Sequence, residues 1–219
     1  MAPPGADPLF TNFPDDKEKR KEKVPTDLLS AQKYLRIQLP IPMKVLGMKD
    51  ALFRIAIEEP KGVKRRIHLG RSKEDKGKWL DLGPIKRAIP VNGGAMPVAY
   101  GFVIRTRTRD KENDFDEELD AILYSKKRFR IADIALGKPI ATFRLKNMDH
   151  KVIFADDTCA VEKWTDIPKR TRDLFIKFFG YKSRIMKIGD KQDAMRLIRA
   201  NKTDHPMSVP KASKIVKIR

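Results

Sequence analysis

The sequence is poor in the residues from which many catalytic and metal sites are built. Among its 219 residues it has one cysteine, Cys159, and three histidines that lie far apart, His68, His150 and His205. A single cysteine excludes an intramolecular disulfide and a cysteine-based metal cluster. The HExxH, GxSxG, GxxxxGK[ST] and GxGxxG patterns are absent as well. These absences predict that the chain is not an enzyme and that it uses no metal and no cofactor.

Long hydrophobic runs are also missing. No stretch approaches the ~20 consecutive apolar residues that a membrane-spanning helix needs. No apolar signal segment follows a basic start. We therefore expect any contact with a membrane to be peripheral.

Positive charge is the property that the chain has in excess. Its formal net charge is +19, and the last quarter, residues 161–219, holds sixteen Lys or Arg against six Asp or Glu. A protein with this much like charge repels itself and is attracted to polyanions. The composition therefore predicts nucleic acid or an anionic membrane surface as partner.

Composition divides the chain into three parts. Residues 1–28 are rich in Pro, Asp and Lys without periodicity, which predicts a disordered arm. Residues 29–200 have the alternating and helical patterns of a single folded domain. Residues 201–219 are irregular and basic, and predict a flexible tail.

Hydrophobic periodicity predicts an α+β fold, in which an antiparallel sheet of five to six strands carries two C-terminal helices packed on it. Helical spacing predicts a helix over 165–179 and a last helix capped by Asp190. An acidic start followed by Leu119, Ile122 and Leu123 favours a further short helix there. Alternation of apolar and polar residues predicts strands at 34–45, 51–58, 63–69, 98–108, 129–134, 140–145, 152–154 and 181–188.

Basic side chains on these elements are the candidate binding residues for nucleic acid or an anionic membrane. The helix over 165–179 is amphipathic, and an ordinary core helix explains its apolar stripe, so only its cationic face suggests function. Three arginines at the end of a strand form a second candidate group. The predicted binding residues are Lys169, Arg170, Arg172, Lys177, Lys182 and Arg184, followed by Arg105, Arg107 and Arg109.

An apolar loop at 88–98 contains two prolines and a Gly-Gly pair, which suit neither a helix nor a central strand. Such a loop is either tucked under the fold or exposed for contact with a partner. We predict that it is exposed and serves self-association or membrane contact. The side chains involved would be Ile89, Val91, Met96 and Val98.

The C-terminal third resembles the matrix proteins of rhabdoviruses. The resemblance lies in Trp164 and Asp166, in Arg172-Asp173, in the run into Phe178-Phe179-Gly180, in the alternation up to Ile188, and in Leu197-Ile198. It implies a viral structural protein that binds ribonucleoprotein and the inner face of an anionic membrane, and that self-associates during virion assembly and budding. It also implies host factors as partners of the N-terminal arm, and a location in the virion, in the host cytoplasm and at host membranes, with some members of the family entering the host nucleus.

A second class of protein fits the same charge. An RNA-binding protein without a membrane role, such as a viral coat, nucleocapsid or ribosomal component, would be equally basic. The apolar loop at 88–98 distinguishes the two classes, because a matrix protein has a use for an exposed apolar loop and a ribosomal protein has little.

Overall fold

The computed structural model describes residues 52–72, 74–109, 116–204, 208–212 and 215–217, with the side chains of positions 109 and 116 left aside. Within these ranges the chain forms eleven strands and two α-helices. The helices are α1 (Lys169–Phe179) and α2 (Lys191–Ala200). The strands are β1 (Phe53–Glu59), β2 (Arg65–Leu69), β3 (Trp79–Pro84), β4 (Ala99–Val103), β5 (Thr108–Arg109), β6 (Asp116–Glu117), β7 (Asp120–Tyr124), β8 (Ile134–Leu145), β9 (Lys151–Asp156), β10 (Ile185–Gly189) and β11 (Ile215–Lys217).

Five of these strands close into a barrel. The hydrogen-bonded order is β1-β4-β7-β9-β8, and β8 pairs back to β1, so that the ring has no open edge at that point. Four of the pairs are antiparallel, whereas β7 and β9 run parallel. β10 extends the sheet by pairing with the second half of β8.

The barrel interior is filled by side chains that alternate along the strands. On β1, Phe53, Ile55 and Ile57 share one hydrophobic cluster with Leu123 of β7 and Phe154 of β9. Each is at most 1% exposed, which is the burial that alternation at a period of two gives to one face of a strand. Ala194 and Ile198 of α2 join the same cluster, so α2 packs against the barrel core.

β8 is the longest strand and connects the two parts of the sheet. Its first half pairs with β1 from Ile134 to Gly137, and its second half pairs with β10 from Thr142 to Leu145. The register against β9 shifts between Pro139 and Ala141, where a proline cannot donate a ladder hydrogen bond. This irregularity lets one strand pair with two different neighbours along the same edge.

A small second sheet covers another side of the barrel. β2 and β3 form an antiparallel pair, and β11 joins β3 in parallel. Trp79 and Leu69 are each 1% exposed and pack in one cluster with Phe102 of β4. The Trp79 indole N–H donates to the carbonyl oxygen of Pro210 at 3.1 Å, which ties the C-terminal segment to this sheet.

Helix α1 packs on the outer surface of the barrel through its aromatic side chains. Phe175 and Phe178 are at most 1% exposed, and Phe179 stacks on Tyr100 of β4 with ring centroids 5.8 Å apart. Trp164, in the 3-10 turn before α1, packs edge-on against Phe143 of β8 at 5.4 Å. These contacts fix the C-terminal end of α1 above β4.

The predicted fold class is wrong in its main feature. The two C-terminal helices form close to where periodicity predicts them, but the sheet is a closed barrel of mixed strand direction rather than an open antiparallel layer. The short helix expected around Leu119–Leu123 is wrong too, since this segment is strand β7. Pairing with β4 and β9 outweighs the weak local preference there.

Other sequence expectations differ in detail. The two strands expected at 129–134 and 140–145 correspond to a loop followed by the single strand β8, and β3 was not anticipated. The strand expected at 34–45 lies outside the described residues, as does the arm at 1–28. The proposed domain boundaries at 28 and 200 stay predictions, although β11 shows that part of the tail segment pairs with β3. In the described part of the chain, no helix combines the length and apolar character needed to cross a bilayer.

Candidate functional site

A cluster of polar side chains crosses neighbouring strands on the outer side of the barrel. Ala121 and Leu123 of β7 point into the interior, so strand alternation turns Asp120 outward. The same alternation on β9 turns Lys151 outward, because Val152 belongs to the interior cluster. We call the group the polar cluster; its members are Glu59, His68, Tyr100, Asp120, Asp149 and Lys151.

Strand register brings these residues together. Asp120 and Lys151 are the first residues of β7 and β9, and the parallel pairing sets them directly opposite each other. Glu59, the last residue of β1, stands opposite Tyr100 of β4. Strand ends from four neighbouring strands therefore meet at one place.

Lys151 is the centre of the polar cluster. Its ammonium donates to Asp120 Oδ2 in a short contact, and to Asp149 Oδ2 and Oδ1 at 2.9 and 3.1 Å. It also lies 3.4 Å from the Tyr100 hydroxyl oxygen and 5.6 Å from the centre of the Tyr100 ring. Tyr100 in turn donates its hydroxyl hydrogen to Asp120 Oδ2. One cation thus holds two carboxylates and a phenol in a fixed arrangement.

The pKa values of the polar cluster follow from this arrangement. Burial opposes the charge on Lys151, but Asp120 and Asp149 outweigh it, so the pKa of Lys151 is raised. Burial also opposes ionisation of Asp120, and the Lys151 charge outweighs that effect and lowers the pKa of Asp120. The pKa of Tyr100 is raised well above its usual value, first by burial and then by Asp120. These shifts favour the ammonium of Lys151, the carboxylate of Asp120 and the neutral phenol of Tyr100, whereas burial and the Asp120 charge raise the pKa of Asp149.

Glu59 and His68 form the second part of the polar cluster. Glu59 is 2% exposed, and its Oε1 has no hydrogen-bond partner, although His68 Nε2 lies 3.5 Å away. Burial raises the pKa of Glu59, and His68 opposes that rise. Burial disfavours the imidazolium of His68, but Glu58 and Glu59 outweigh it and raise its pKa. Glu59 is thus a buried carboxylate whose pKa is raised and whose Oε1 faces His68 without a hydrogen bond.

Two further cations lie close to the cluster. The pKa of Lys182 is lowered, first by burial and then by the charges of Arg66 and Lys151, and the Arg66 charge also lowers the pKa values of Glu59 and His68. Lys182 lies in the turn that follows α1. The helix ends before Gly180, where a Cβ would come within 2.6 Å of the Ile176 carbonyl oxygen. Like charges gathered at one place favour a bound anion.

The carboxylates of the polar cluster are the oxygen donors that a divalent cation would use. Such an ion prefers several carboxylate oxygens that no other cation has taken. Here the Lys151 ammonium already binds Asp120 and both oxygens of Asp149. Among the described residues there is no group of three or more His, Cys, Asp or Glu placed to hold a metal. The residues of the site therefore do not fit a resident divalent cation.

Comparison with known structures relates this barrel to inorganic pyrophosphatases. The enzyme from Neisseria gonorrhoeae matches with a TM-score of 0.55 at 17% identity, over 68% of this chain and 88% of that one. The enzyme from Coxiella burnetii gives 0.56 at 19% identity over 72% and 97%. The enzyme from Thermus thermophilus gives 0.56 at 16% identity over 74% and 94%. At this level of identity the likeness establishes the fold.

Neither the protein-family models nor the curated proteins contain a match to the sequence. The structural likeness therefore stands alone, and it overturns four expectations from the sequence. The resemblance to rhabdovirus matrix proteins is wrong, because the folds that match are those of pyrophosphatases. The matrix function and its RNA-binding alternative lose their support with it, as does the location in a virion or at host membranes. The prediction that the chain is not an enzyme is contradicted as well, because the structures that share its fold are those of enzymes.

The basic residues predicted to bind polyanions are spread over the surface. Of these, Lys182 alone was identified above as a neighbour of the polar cluster. Lys169 pairs with Asp173 at 2.7 Å, and the Arg172 guanidinium lies 5.9 Å from the Trp164 ring centre. Arg170, Lys177, Arg184 and Arg107 are exposed, Arg105 is partly buried, and the Arg109 side chain is outside the described part. Their role with nucleic acid or lipid is untested and stays a prediction.

The apolar loop at 88–98 is packed rather than exposed. Met96 and Val98 are 4% and 3% exposed and belong to the hydrophobic cluster under α1, which includes Phe175 and Phe178. Ile89 and Val91 pack against this cluster. The Met96 backbone exchanges hydrogen bonds of 2.8 Å with residues 62 and 63, which draws the loop onto the barrel. The predicted exposure is therefore wrong, and a role of these side chains in self-association stays an untested prediction.

Sequence reasoning missed most of the polar cluster. In the sequence, the adjacent polar pair Asp149-His150 is typical of a turn, and His68 lies on the polar face of the strand predicted at 63–69, so neither pattern predicts a site. A usable signal was present in the sequence: Asp120 and Lys151 each begin a short run of apolar residues. A charged residue at the start of a buried strand needs a partner, although the sequence does not say which.

Proposed function

We propose that the protein binds inorganic pyrophosphate, or a compound with the same phosphoanhydride group, at the polar cluster and hydrolyses it. The observation that carries the proposal is the contact of Lys151 with Asp120 and Asp149 beside the buried Glu59, with Lys182 and Arg66 acting electrostatically on the same cluster, on a barrel that matches inorganic pyrophosphatases. The same cations would be a weak argument on an unrelated fold.

Binding would come from the cations. Pyrophosphate carries several negative charges, and Lys182 and Arg66 can reach its oxygens from the more exposed side of the cluster. Lys151 is 7% exposed, so its charge acts in surroundings with little water, where electrostatic attraction is stronger. Positioning and charge neutralisation are the main contributions that a protein makes to phosphoryl transfer.

The chemistry requires one water molecule. Its oxygen attacks one phosphorus, the bond from that phosphorus to the bridging oxygen breaks, and the leaving phosphate keeps the electron pair. The proton of the attacking water needs an acceptor, and Glu59 Oε1 is a buried carboxylate oxygen without a hydrogen-bond partner. Burial raises the pKa of Glu59, which makes it a better base near neutral pH. Two phosphate ions are the products.

Phosphate release from pyrophosphate by the purified full chain tests this proposal. Lys182→Ala should raise KM, because it removes a cation beside the substrate. Lys177→Ala is the matched control: it removes an exposed lysine of α1 for which no contact with the polar cluster is found, and it should leave KM unchanged. Glu59→Gln should lower kcat with little change in KM. Release no faster than the protein-free blank, with or without Mg²⁺ bound to the pyrophosphate, would show that hydrolysis is wrong.

A further inference from the structure

The position of the Lys151 ammonium is the unusual feature of this site. It lies between Asp120 and Asp149 and contacts three carboxylate oxygens, at up to 3.1 Å. It is also almost fully buried, at 7% exposure, and the Tyr100 ring packs beside it. A positive charge therefore already lies where a carboxylate of β7 and a carboxylate from the turn before β9 converge.

A divalent cation would have to displace this ammonium in order to use the same oxygens. Among the residues that the structure describes, Lys151 contacts no carboxylate besides Asp120 and Asp149, so displacement would leave a buried charge without its partners, which is costly. Glu59 and His68 do not add a third ligand, because no group of three metal-binding side chains exists in the described part of the chain. The donor set is complete without a metal.

We propose that Lys151 takes the place of a resident divalent cation, so that the polar cluster accepts pyrophosphate without any metal ion. This rests on the proposed function, because it concerns how the same site neutralises its substrate. An ammonium is a compact positive charge with three donors, and it can share one hydrogen between a carboxylate and an incoming phosphate oxygen. Arg66 and Lys182 add the charge that a single ammonium lacks relative to a metal ion.

Isothermal titration of wild-type protein with pyrophosphate provides the first test. One titration contains a strong chelator, and the other contains Mg²⁺. We expect the two dissociation constants to agree within about tenfold, which corresponds to about 1.4 kcal/mol. Binding that is more than about tenfold tighter with Mg²⁺, or that needs it, would overturn the inference and leave the proposed function standing. No binding in either titration would instead overturn the proposed function, and the inference with it.

Titration with Mn²⁺ alone provides the second test, because it needs no substrate. Wild type should bind no Mn²⁺, whereas Lys151→Met should gain saturable Mn²⁺ binding, since Asp120 and Asp149 would then lack their cation. Lys138→Met is the control: Lys138 pairs with Glu162, whose side chain is 56% exposed, so its removal should create no such site. Mn²⁺ binding by wild type, or a folded Lys151→Met that binds none, would contradict the inference. If Lys151→Met does not fold, the titrations of the wild-type protein with Mn²⁺ and with pyrophosphate decide whether the inference holds.

Discussion

Replacing Lys151 by methionine should destabilise the folded protein by about 3 kcal/mol. Methionine keeps most of the side-chain volume, so the change removes the ammonium rather than the packing. Breaking a buried ion pair costs about 3–5 kcal/mol, because the remaining charge stays buried without a partner. The Asp120 and Asp149 side chains are 20% and 53% exposed, so water recovers part of the loss and the lower end of that range applies.

Urea unfolding, monitored by circular dichroism, measures this loss of unfolding free energy, provided that the m value is unchanged. The double variant Asp120→Asn, Lys151→Met should cost less than the sum of the two single variants, by about 1–2 kcal/mol, because each single change leaves one uncompensated charge. Lys138→Met should cost about 1 kcal/mol or less, since its partner is largely exposed. If Lys151→Met costs no more than Lys138→Met, or if the costs of the single variants are purely additive, the conclusion that Lys151 holds the polar cluster together is refuted.

Three further predictions concern the fold around the site. Phe178→Ala should destabilise the protein by about 3–5 kcal/mol, because Phe178 is 1% exposed in the hydrophobic cluster under α1. Ile176→Ala is the control: this position is 37% exposed, so the same urea assay should show a far smaller loss of stability. Asp190→Ala should cost about 1 kcal/mol, because the Asp190 carboxylate accepts the Asp193 N–H at 2.9 Å and caps α2; equal stability would show that the cap contributes nothing. The pKa of Asp156 is lowered: burial opposes its ionisation, but hydrogen bonds from neighbouring groups outweigh it. Since the folded pKa lies below the unfolded value, this stabilisation is present above about pH 4 and is lost as the pH falls through the folded pKa. Asp156→Asn should therefore flatten the acid side of the stability–pH curve, and an unchanged acid limb would count against the assignment.

Local patterns in the sequence determined several elements of this fold. The alternation Phe53-Ile55-Ile57 predicts β1 and its buried face, and the structure has both. Asp190 predicts the start of α2, and its side chain caps that helix as expected. Helical spacing predicts that α1 ends at 179, and it does, one residue before Gly180, where a Cβ would come within 2.6 Å of the Ile176 carbonyl oxygen. Each of these depends on neighbours within a few residues along the chain.

Tertiary structure decided the closure of the barrel and the composition of the site. Asp120 and Lys151 are 31 positions apart, and only the parallel pairing of β7 with β9 sets them side by side. Alternation shows which face of a strand is apolar, but a strand pattern is the same whether its neighbour runs parallel or antiparallel and whether the sheet is open or closed. The excess of positive charge in the sequence indicates an anionic partner, whereas the few cations that share one place depend on strand register. Register is fixed by contacts distant in sequence, which is why charge and periodicity alone suggested a polyanion-binding structural protein.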